Sequence, residues 1–412
     1  MSCKPAPPPE PELPAVTLKP IEAPPALNSI HCAIASDSPS LALMHVANDL
    51  GYFEVEGLEF QITEVPPSTA PRQSSLLSLL QDDVDCIAQT LDSYLRTLDG
   101  QLFQTAVIAS LYTSTGAEGL VVAAPVSSIE DLFDQSIGGD RHHPGMLLTY
   151  SKLRELGYGI DDFIIKPIDW PEKGAEEQGR EGARAQGRRG AEVIADGQEG
   201  NGADQPGLGG EDSVGEAIAG LGPDSGDATE DIEEEDRAAV RPSYGDIFRK
   251  EGVVAIAASE PRLSHIAQDT GGQILITSGE SDSLLMGTLV VERSKLDQDR
   301  DRYRGLLKGI YRASELYDSD RPQFLEIAAP YYGVPTQVLD QKLQTIAYTS
   351  YPDLQRIIDV GARTGTLFRT FINLDAIHQD LDLQNGPLFY DDHVDHQLIL
   401  DLLDQQPLNP GE

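Results

Sequence analysis

The sequence predicts an α/β protein built from repeated strand–loop–helix units, with mainly parallel sheets. Two observations support this prediction. Short apolar runs alternate with segments in which apolar residues recur at helical spacing. Hydrophobic residues also make up 40% of the 412 residues, which is enough for a sizeable core. A chain of this length favours two or three domains.

The first predicted elements are a strand and a helix. His31–Ala35 is a short apolar run, and the helical pattern of Leu41–Leu50 ends at Gly51, a residue favoured just after a helix. Leu58–Val65 alternates apolar and polar residues, as a half-buried strand does. Further strands are predicted at Val84–Ala88, Leu102–Leu111, Gly119–Ala124, Ile137–Gly139 and Phe163–Pro167, and helices or helical turns at Ser74–Gln81, Ile129–Phe133 and Pro144–Leu156.

The same alternation continues later in the chain and then becomes helical. The predicted elements are helices at Gly245–Lys250 and Arg262–Asp269, and strands at Val253–Ala257, Ile274–Thr277 and Leu285–Val291. From Lys295 onward the pattern is helical, with breaks near Pro322, Gly333 and Pro352.

Two stretches have compositions that do not favour a packed core. Residues 1–28 are predicted to be a proline-rich, semi-rigid spacer. Glu172–Arg241 holds 15 Gly, 19 Asp+Glu, 7 Lys+Arg and no aromatic residue, a net charge of 7 − 19 = −12. Such a segment buries too little apolar surface to offset the entropy of ordering, so we expect a disordered acidic insertion.

The charge of the chain excludes several classes of function. The net charge is −38, and it is still −38 + 12 = −26 without the insertion, so we expect no nucleic-acid partner and no polybasic membrane contact. No apolar run is long enough to span a bilayer. Three cysteines do not make a disulfide framework, and we expect Cys32 and Cys86, which lie in apolar strands, to be unpaired and buried.

Motifs for nucleotide binding and for nucleophilic catalysis are absent from the sequence. It contains neither a G-x-x-x-x-G-K-[ST] loop nor a G-x-S-x-G elbow, and no Ser/His/Asp triad can be argued from spacing. Tyr390–His396 places two histidines three residues apart among aspartates, but we interpret it as the solvated start of the last helix. We therefore expect no cofactor, no metal site and no catalytic residue.

Polar loops that follow the predicted strands are the candidate ligand site. In open parallel α/β sheets, ligands bind outside the carboxyl ends of the strands, so loops at those ends converge on one cleft. The candidate ligand-binding residues in these loops are Ser36, Asp37, Ser38, Thr90, Asp92, Tyr112, Ser114, Glu118, His142, His143 and Glu260.

One block of the sequence is similar to a known family. Ala47–Glu59 resembles the A-x-x-x-G-Y-F-x-x-x-G-L-x pattern of solute-binding proteins of ABC importers, in the branch for nitrate, sulfonates, taurine and thiamine-pyrimidine precursors. Weaker similarities follow in the family's order at Asp83–Ala88, Val126–Phe133, Leu153–Gly157 and Val254–Pro261, although Asp83 stands where glycine is usual.

The resemblance implies a two-lobed fold with a hinge and a ligand cleft between the lobes. Lobe one would comprise residues 29–123 and 276–407, and lobe two residues 124–275, interrupted by the insertion at 172–241. The chain would be a monomeric, non-enzymatic, extracytoplasmic subunit that captures a small molecule by hinge closure and delivers it to a membrane permease.

Three further expectations depend on this resemblance. Cys3 and the proline-rich segment after it look like the start of a mature lipoprotein, which would place the protein in the periplasm or anchored at the cell surface. The carboxylates of Asp37, Asp92, Glu118 and Glu260, with Tyr112, favour a pyrimidine-like or amine-bearing ligand, whereas a sulfonate or nitrate would use helix N-termini. The alternatives are a pyrimidine-precursor synthase-like enzyme, whose cysteine-rich motif this sequence lacks, and a ligand-sensing module for a membrane receptor.

Overall fold

The computed structural model describes residues 27–65, 84–97, 104–168, 244–281, 284–359 and 363–404. Cys3, the predicted helix Ser74–Gln81 and the predicted insertion Glu172–Arg241 lie outside the described residues, as does nearly all of the predicted spacer. Within the described part, no helix has the length and apolar character needed to cross a membrane.

Eleven strands form two sheets within the described residues. In chain order the strands are β1 (Asn28–Ala35), β2 (Leu58–Val65), β3 (Cys86–Thr90), β4 (Thr105–Ser114), β5 (Glu118–Val122), β6 (Ser136–Gly138), β7 (Ile164–Lys166), β8 (Ala255–Ser259), β9 (Gln273–Thr277), β10 (Met286–Glu292) and β11 (Ile346–Tyr348). The first sheet has the order β11-β4-β10-β3-β1-β2, and the second has the order β7-β6-β8-β5-β9.

The α-helices lie between and after these strands. They are α1 (Pro39–Asp49), α2 (Tyr52–Val55), α3 (Leu91–Thr97), α4 (Pro144–Glu155), α5 (Tyr244–Glu251), α6 (Arg262–Thr270), α7 (Arg293–Gln298), α8 (Arg300–Ser319), α9 (Arg321–Tyr332), α10 (Thr336–Leu343), α11 (Leu354–Ile358), α12 (Thr366–Asp380), α13 (Tyr390–His393) and α14 (His396–Asp404). The mixed α/β class predicted from the sequence is confirmed.

The prediction of mainly parallel sheets is wrong. The β1–β2, β1–β3, β6–β7 and β6–β8 pairs are parallel, but β10 is antiparallel to both β3 and β4, and β5 is antiparallel to both β8 and β9. These antiparallel strands come directly before or after a passage of the chain from one sheet to the other. An apolar strand pattern reports burial and not direction, so the sequence could not distinguish the two arrangements.

The chain passes between the two sheets twice. It leaves the first sheet at residues 115–117, between β4 and β5, and it returns between the end of β9 at Thr277 and the start of β10 at Met286. The lobe boundaries expected from the sequence, 123/124 and 275/276, differ from these positions. In particular, Glu118–Val122 pairs within the second sheet and not, as expected, within the first lobe.

The first helix lies deep in the core of the first lobe. Eight consecutive residues of α1, from Ser40 to Ala47, are buried, and the helix packs against α8 and α9. Ser38 caps its N-terminus by accepting a hydrogen bond from the Ser40 N–H at 3.2 Å, and Pro39 occupies the first turn. The loop before α1 is therefore fixed to a rigid element.

A disulfide joins Cys32 on β1 to Cys86 on β3, so the expectation that both cysteines are unpaired is wrong. The two residues are direct partners in the parallel register, with 4.5 Å between their Cα atoms. Both side chains are fully buried, as predicted. The sequence shows only that each lies in an apolar run, because the pairing depends on the register of two strands 54 residues apart.

The prediction that Tyr390–His396 is the solvated start of the last helix is also wrong for His393. This residue is 1% exposed and packs against Phe371, and its Nδ1 lies 3.4 Å from the hydroxyl of Tyr94. Asp395 is bound by both terminal nitrogens of Arg300, at 2.9 and 2.8 Å. His393 and Asp395 are therefore packed against the first lobe, whereas Asp391 and Asp392 are exposed.

We expect that opening the Cys32–Cys86 disulfide will lower the free energy of unfolding by up to about 4 kcal/mol, because the bond restricts a long loop of the unfolded chain. The measurement is urea denaturation of the oxidised and reduced protein and of the Cys32→Ala/Cys86→Ala variant. A Cys3→Ser variant is the control. Two accessible thiols at positions 32 and 86 in unfolded, non-reduced protein would contradict the disulfide.

Candidate functional site

The candidate loops of the first lobe lie at one edge of its sheet. β1 and β3 are parallel, and β3 and β4 are both antiparallel to β10, so β1, β3 and β4 end at the same edge. The segments at these ends carry Ser36–Ser38, Thr90–Asp92 and Tyr112–Ser114, respectively.

The candidate loops of the second lobe also share an edge. β6 and β8 are parallel, so the loop that holds His142 and His143 lies beside Glu260, and the antiparallel strand β5 begins there with Glu118. Both passages between the sheets connect these two edges directly. The candidate residues of the two lobes therefore lie at edges that face each other across the interlobe connections.

The loop after β1 is held by tyrosines from the C-terminal half of the chain. The hydroxyl of Tyr332 donates to the Ser38 carbonyl at 2.6 Å, and that of Tyr348 donates to the Pro39 carbonyl at 2.9 Å. Lys342 donates to the Asp37 carbonyl at 2.6 Å, while the Asp37 residue itself is exposed. The loop is thus a rigid part of the sheet edge.

Tyr112 is packed into the middle of this edge. Gly287 on β10 is paired with Tyr112 on one side and with Thr90 on the other. A Cβ at Gly287 would overlap the Tyr112 ring, so this position requires glycine. Burial, followed by the charge of Glu118, raises the pKa of Tyr112, and a hydrogen bond with Ser38 partly offsets the rise. Tyr112 therefore remains a neutral donor at physiological pH.

Three polar residues join the two passages between the lobes. Ser114, the last residue of β4, donates to the carboxylate of Glu118, and its Oγ lies 2.7 Å from that of Ser278 on the return passage. Burial raises the pKa of Glu118, and the hydrogen bonds from the two serines oppose that rise. This cluster fixes both interlobe connections to each other.

Asp92 is the most deeply buried carboxylate of the candidate set, with 2% of its side chain exposed. Its Oδ2 accepts from Arg96 at 2.8 Å, and its Oδ1 lies 2.8 Å from Nε2 of His378 on α12. Burial alone would raise the pKa of Asp92, but the Arg96 charge and the His378 hydrogen bond outweigh it and hold that pKa below its usual value. Asp92 is therefore ionised and fully engaged within the protein.

The two adjacent histidines of the second lobe have different surroundings. His143 caps α4 by accepting from the Gly145 N–H at 3.0 Å, and its Nε2 lies 3.3 Å from the Ser259 hydroxyl. Burial, with the charge of Arg262, lowers the pKa of His143 to about 4. His142 is half-buried, and its pKa is lowered by burial and then by the charge of Arg96 in the other lobe.

Glu260 and Thr90 form hydrogen bonds with residues a few positions later in the chain. The Glu260 carboxylate accepts from the Ser264 hydroxyl at 2.6 Å, and Thr90 Oγ1 accepts from the Ser93 N–H at 3.2 Å. Three of the four carboxylates that favoured an amine-bearing ligand, those of Asp92, Glu118 and Glu260, are thus bound by protein groups. Only Asp37 lacks such a partner in the hydrogen bonds found for the described residues.

Helix α12 contacts both lobes beside the site. Near its end, Asp380 accepts from the Tyr150 hydroxyl at 3.1 Å and pairs with Arg154 Nε at 3.1 Å, both on α4 of the second lobe. Arg141 also reaches the Leu381 carbonyl at 3.5 Å. Because His378 on the same helix binds Asp92, α12 links the site to the contact between the lobes.

Arg96, His378 and Ser278 were not among the candidate residues predicted from the sequence. Arg96 lies four residues after Asp92, a spacing that favours a helical ion pair and that could have identified it. His378 and Ser278 come from elements 286 and 164 residues away from their partners, and no local pattern indicates them. Within the described ranges no cluster of three or more His, Cys, Asp or Glu side chains is arranged to hold a metal ion.

Solved structures with the same fold cover nearly the whole chain. The aliphatic sulphonate-binding protein SsuA of Escherichia coli superposes with a TM-score of 0.55 at 13% identity, covering 90% of this chain and 99% of that one. A sulfonate-binding SsuA protein of Methylobacillus flagellatus gives 0.57 at 12% identity, covering 92% and 95%. A mutant of the desulfurization enzyme DszB in complex with biphenyl-2-sulfinic acid gives 0.50 at 13% identity, covering 92% and 99%.

The chain has the two-lobed fold of periplasmic binding proteins, as the sequence resemblance predicted. No protein-family model matches the sequence, and no curated protein is significantly similar to it. At these identities the similarity establishes the fold and not the ligand.

We expect acid to destabilise the protein partly through His143. The pKa of His143 is about 6.5 in the unfolded chain and about 4 in the folded protein. Its contribution to the free energy of unfolding is therefore complete above pH 6.5 and is lost as the pH falls toward 4. The difference amounts to about 3 kcal/mol. Protonation also removes the acceptor that caps α4. The measurement is the free energy of unfolding of wild-type protein and of His143→Gln at pH 7 and pH 4.5.

The variant should lose less stability between these two pH values than the wild type does. His265→Gln, at an exposed position on α6, is the matched control and should keep the wild-type pH dependence. Equal pH dependence in His143→Gln and wild type would show that His143 is protonated as easily in the folded as in the unfolded protein.

Proposed function

We propose that this protein is the extracytoplasmic solute-binding subunit of an ABC importer. The observation that carries the proposal is that the candidate residues of both lobes lie at facing sheet edges joined by two passages. A small organic ligand would bind between the lobes and favour their closed arrangement. The closed lobes would then present a joint surface to a membrane permease. We propose that the chain acts as a monomer and performs no catalysis.

The disulfide supports an extracytoplasmic location. Disulfides persist in oxidising compartments such as the periplasm and are rare in the cytosol. The Cys32–Cys86 bond joins the two strands that lead to Ser36–Ser38 and Thr90–Asp92, so it would stabilise the site edge in that compartment. Lipid anchoring through Cys3 stays a prediction, since Cys3 lies outside the described residues.

The carboxylates of Asp92, Glu118 and Glu260 are bound by protein groups, and this changes which ligand class we propose. A pyrimidine-like or amine-bearing ligand would need free acceptors, and three of the four proposed acceptors bind protein groups. A sulfonate or a similar anion would need donors, and those are present as arginine, histidine and helix N-termini. The two SsuA proteins with this fold bind sulfonates, which agrees with the same preference.

An enzymatic role is the second candidate, because a desulfurization enzyme shares the fold. In the part of the chain that the structure describes, both cysteines are joined in the disulfide, so that part offers no thiol for nucleophilic catalysis. The binding role therefore accounts for more of what the structure contains. A ligand-sensing module that docks on a membrane receptor would use the same site and differs only in its partner.

We expect one chemical class of small molecule to raise the melting temperature. A ligand at 100 times its Kd should add roughly 2.7 kcal/mol to the free energy of unfolding, a shift of several degrees or less in a chain of this size. The panel contains nitrate, taurine, alkanesulfonates, carboxylates, thiamine and polyamines, tested on the full chain. Sodium chloride at matched ionic strength is the control.

The binding role predicts that the compound that shifts melting is recovered unchanged after incubation. Conversion of that compound to a product would support the enzyme instead. A cooperative melting transition that no compound shifts would argue against the proposed function.

A further inference from the structure

The last residue of α12 carries a charge that its own helix disfavours. The carbonyl groups at a helix C-terminus are partially negative, so a carboxylate at that end destabilises the helix. Asp380 nevertheless ends α12, and its Oδ2 accepts from the Tyr150 hydroxyl and pairs with Nε of Arg154, each at 3.1 Å. Both partners lie on α4 of the second lobe. The position of Asp380 is therefore explained by the other lobe and not by α12.

The first lobe holds Asp380 in a fixed position. Two residues earlier on α12, His378 is fully buried, and its Nε2 lies 2.8 Å from Oδ1 of Asp92. Leu374 and Ile377 on the same helix are buried in the core. Because the end of α12 is already ordered by these contacts, little backbone entropy is lost when Asp380 meets α4.

The partners of Asp380 lie away from the passages between the lobes. The first turn of α4 lies against the second sheet, where a Cβ on Gly145 would be 2.9 Å from the carbonyl oxygen of Gly119, close to the first passage. At 1.5 Å per residue, Tyr150 and Arg154 lie about 8 and 14 Å further along the helix. A rotation of the lobes about the passages would therefore displace these two residues more than it displaces the start of α4.

The contact combines a strong hydrogen bond with a weak ion pair. Tyr150 is 2% exposed, and burial, followed by the charge of Asp380, raises its pKa to about 12, so its hydroxyl is a neutral donor at physiological pH. The side chains of Arg154 and Asp380 are 44% and 41% exposed. A hydrogen bond to a charged acceptor outweighs an exposed ion pair. Water can replace both interactions when the lobes separate, so the contact is reversible.

We propose that Asp380, with Tyr150 and Arg154, is a latch that sets the balance between the closed and open arrangements of the lobes. The latch consists of protein groups alone, so it acts before a ligand binds and acts equally for every ligand. A larger closed population raises the apparent affinity, because less of the ligand's binding free energy is used to close the lobes. The inference goes beyond the proposed function, since it concerns the motion of the lobes whether or not the chain serves an importer.

The test is the distance between spin labels on Val55→Cys and Ile164→Cys in the full chain, which also carries Cys3→Ser, measured without added ligand. The labelled positions are exposed and lie in the first and second lobes, respectively. Asp380→Ala removes both latch interactions and leaves a residue that α12 favours. We expect it to lower the ratio of closed to open molecules about tenfold. The distance distribution should become longer and broader.

Variants of the partners test the contact itself. Tyr150→Phe keeps the ring and removes only the donor, and Arg154→Gln removes the charge, so each should shift the distribution in the same direction as Asp380→Ala. Adding either change to Asp380→Ala should have little further effect, because the contact is already broken. Asp391→Ala is the matched control, since Asp391 is 55% exposed and pairs with Arg363 within the first lobe. It should leave the distances unchanged.

Two results would overturn the inference. An unchanged distance distribution in Asp380→Ala, with or without a lower melting temperature, would show that the contact supports the structure and does not bias the lobes. Equal lengthening in Asp391→Ala would show that the effect comes from the loss of any surface carboxylate. Because no ligand is added, either result leaves the proposed function to be judged separately by the melting shifts.

Discussion

The buried carboxylate of Asp92 connects the parts of the molecule on which the candidate site depends. It lies at the start of α3, binds Arg96 one turn later, and binds His378 on α12, 286 residues further along the chain. A buried carboxylate is stable only when opposite charges and hydrogen bonds offset the loss of hydration, and this one has both. Its removal would leave the guanidinium of Arg96, whose side chain is 22% exposed, without this acceptor.

The helix that supplies His378 also connects the site to the contact between the two lobes. The helix that supplies His378 ends at Asp380, which contacts Tyr150 and Arg154 on α4 of the second lobe. The cap of α4 is His143, which reaches Ser259, the residue paired with Glu118 at the start of β5. A continuous series of contacts therefore runs from the first lobe, through α12 and α4, to the passage between the lobes.

Much of the fold could be predicted from local pattern. The strand predicted at Leu58–Val65 has the same bounds as β2, and the helix predicted at Pro144–Leu156 matches α4 to within one residue. Strand direction could not be predicted, because the antiparallel pairing of β10 depends on where the returning chain inserts and not on its own residues. The disulfide was missed for the same reason, since Cys32 and Cys86 are neighbours only once β1 and β3 are in register.

In the candidate site, too, local sequence pattern predicted some features, and others depend on tertiary contacts. The loops were predictable because each comes after an apolar strand, and strand ends share an edge. The partners of the loop residues were not, since Ser278 and His378 reach Ser114 and Asp92 through tertiary contacts. The ligand preference drawn from four carboxylates lost its basis here, because sequence alone does not show which acids are bound within the protein.

A ligand that binds between the lobes should bring them together. The direct measurement is the distance between spin labels on Val55→Cys and Ile164→Cys, in a chain that also carries Cys3→Ser. These positions are 72% and 54% exposed and lie on α2 of the first lobe and on β7 of the second. The account predicts a shorter and narrower distance distribution when a ligand binds. An unchanged distribution at saturating ligand would contradict it.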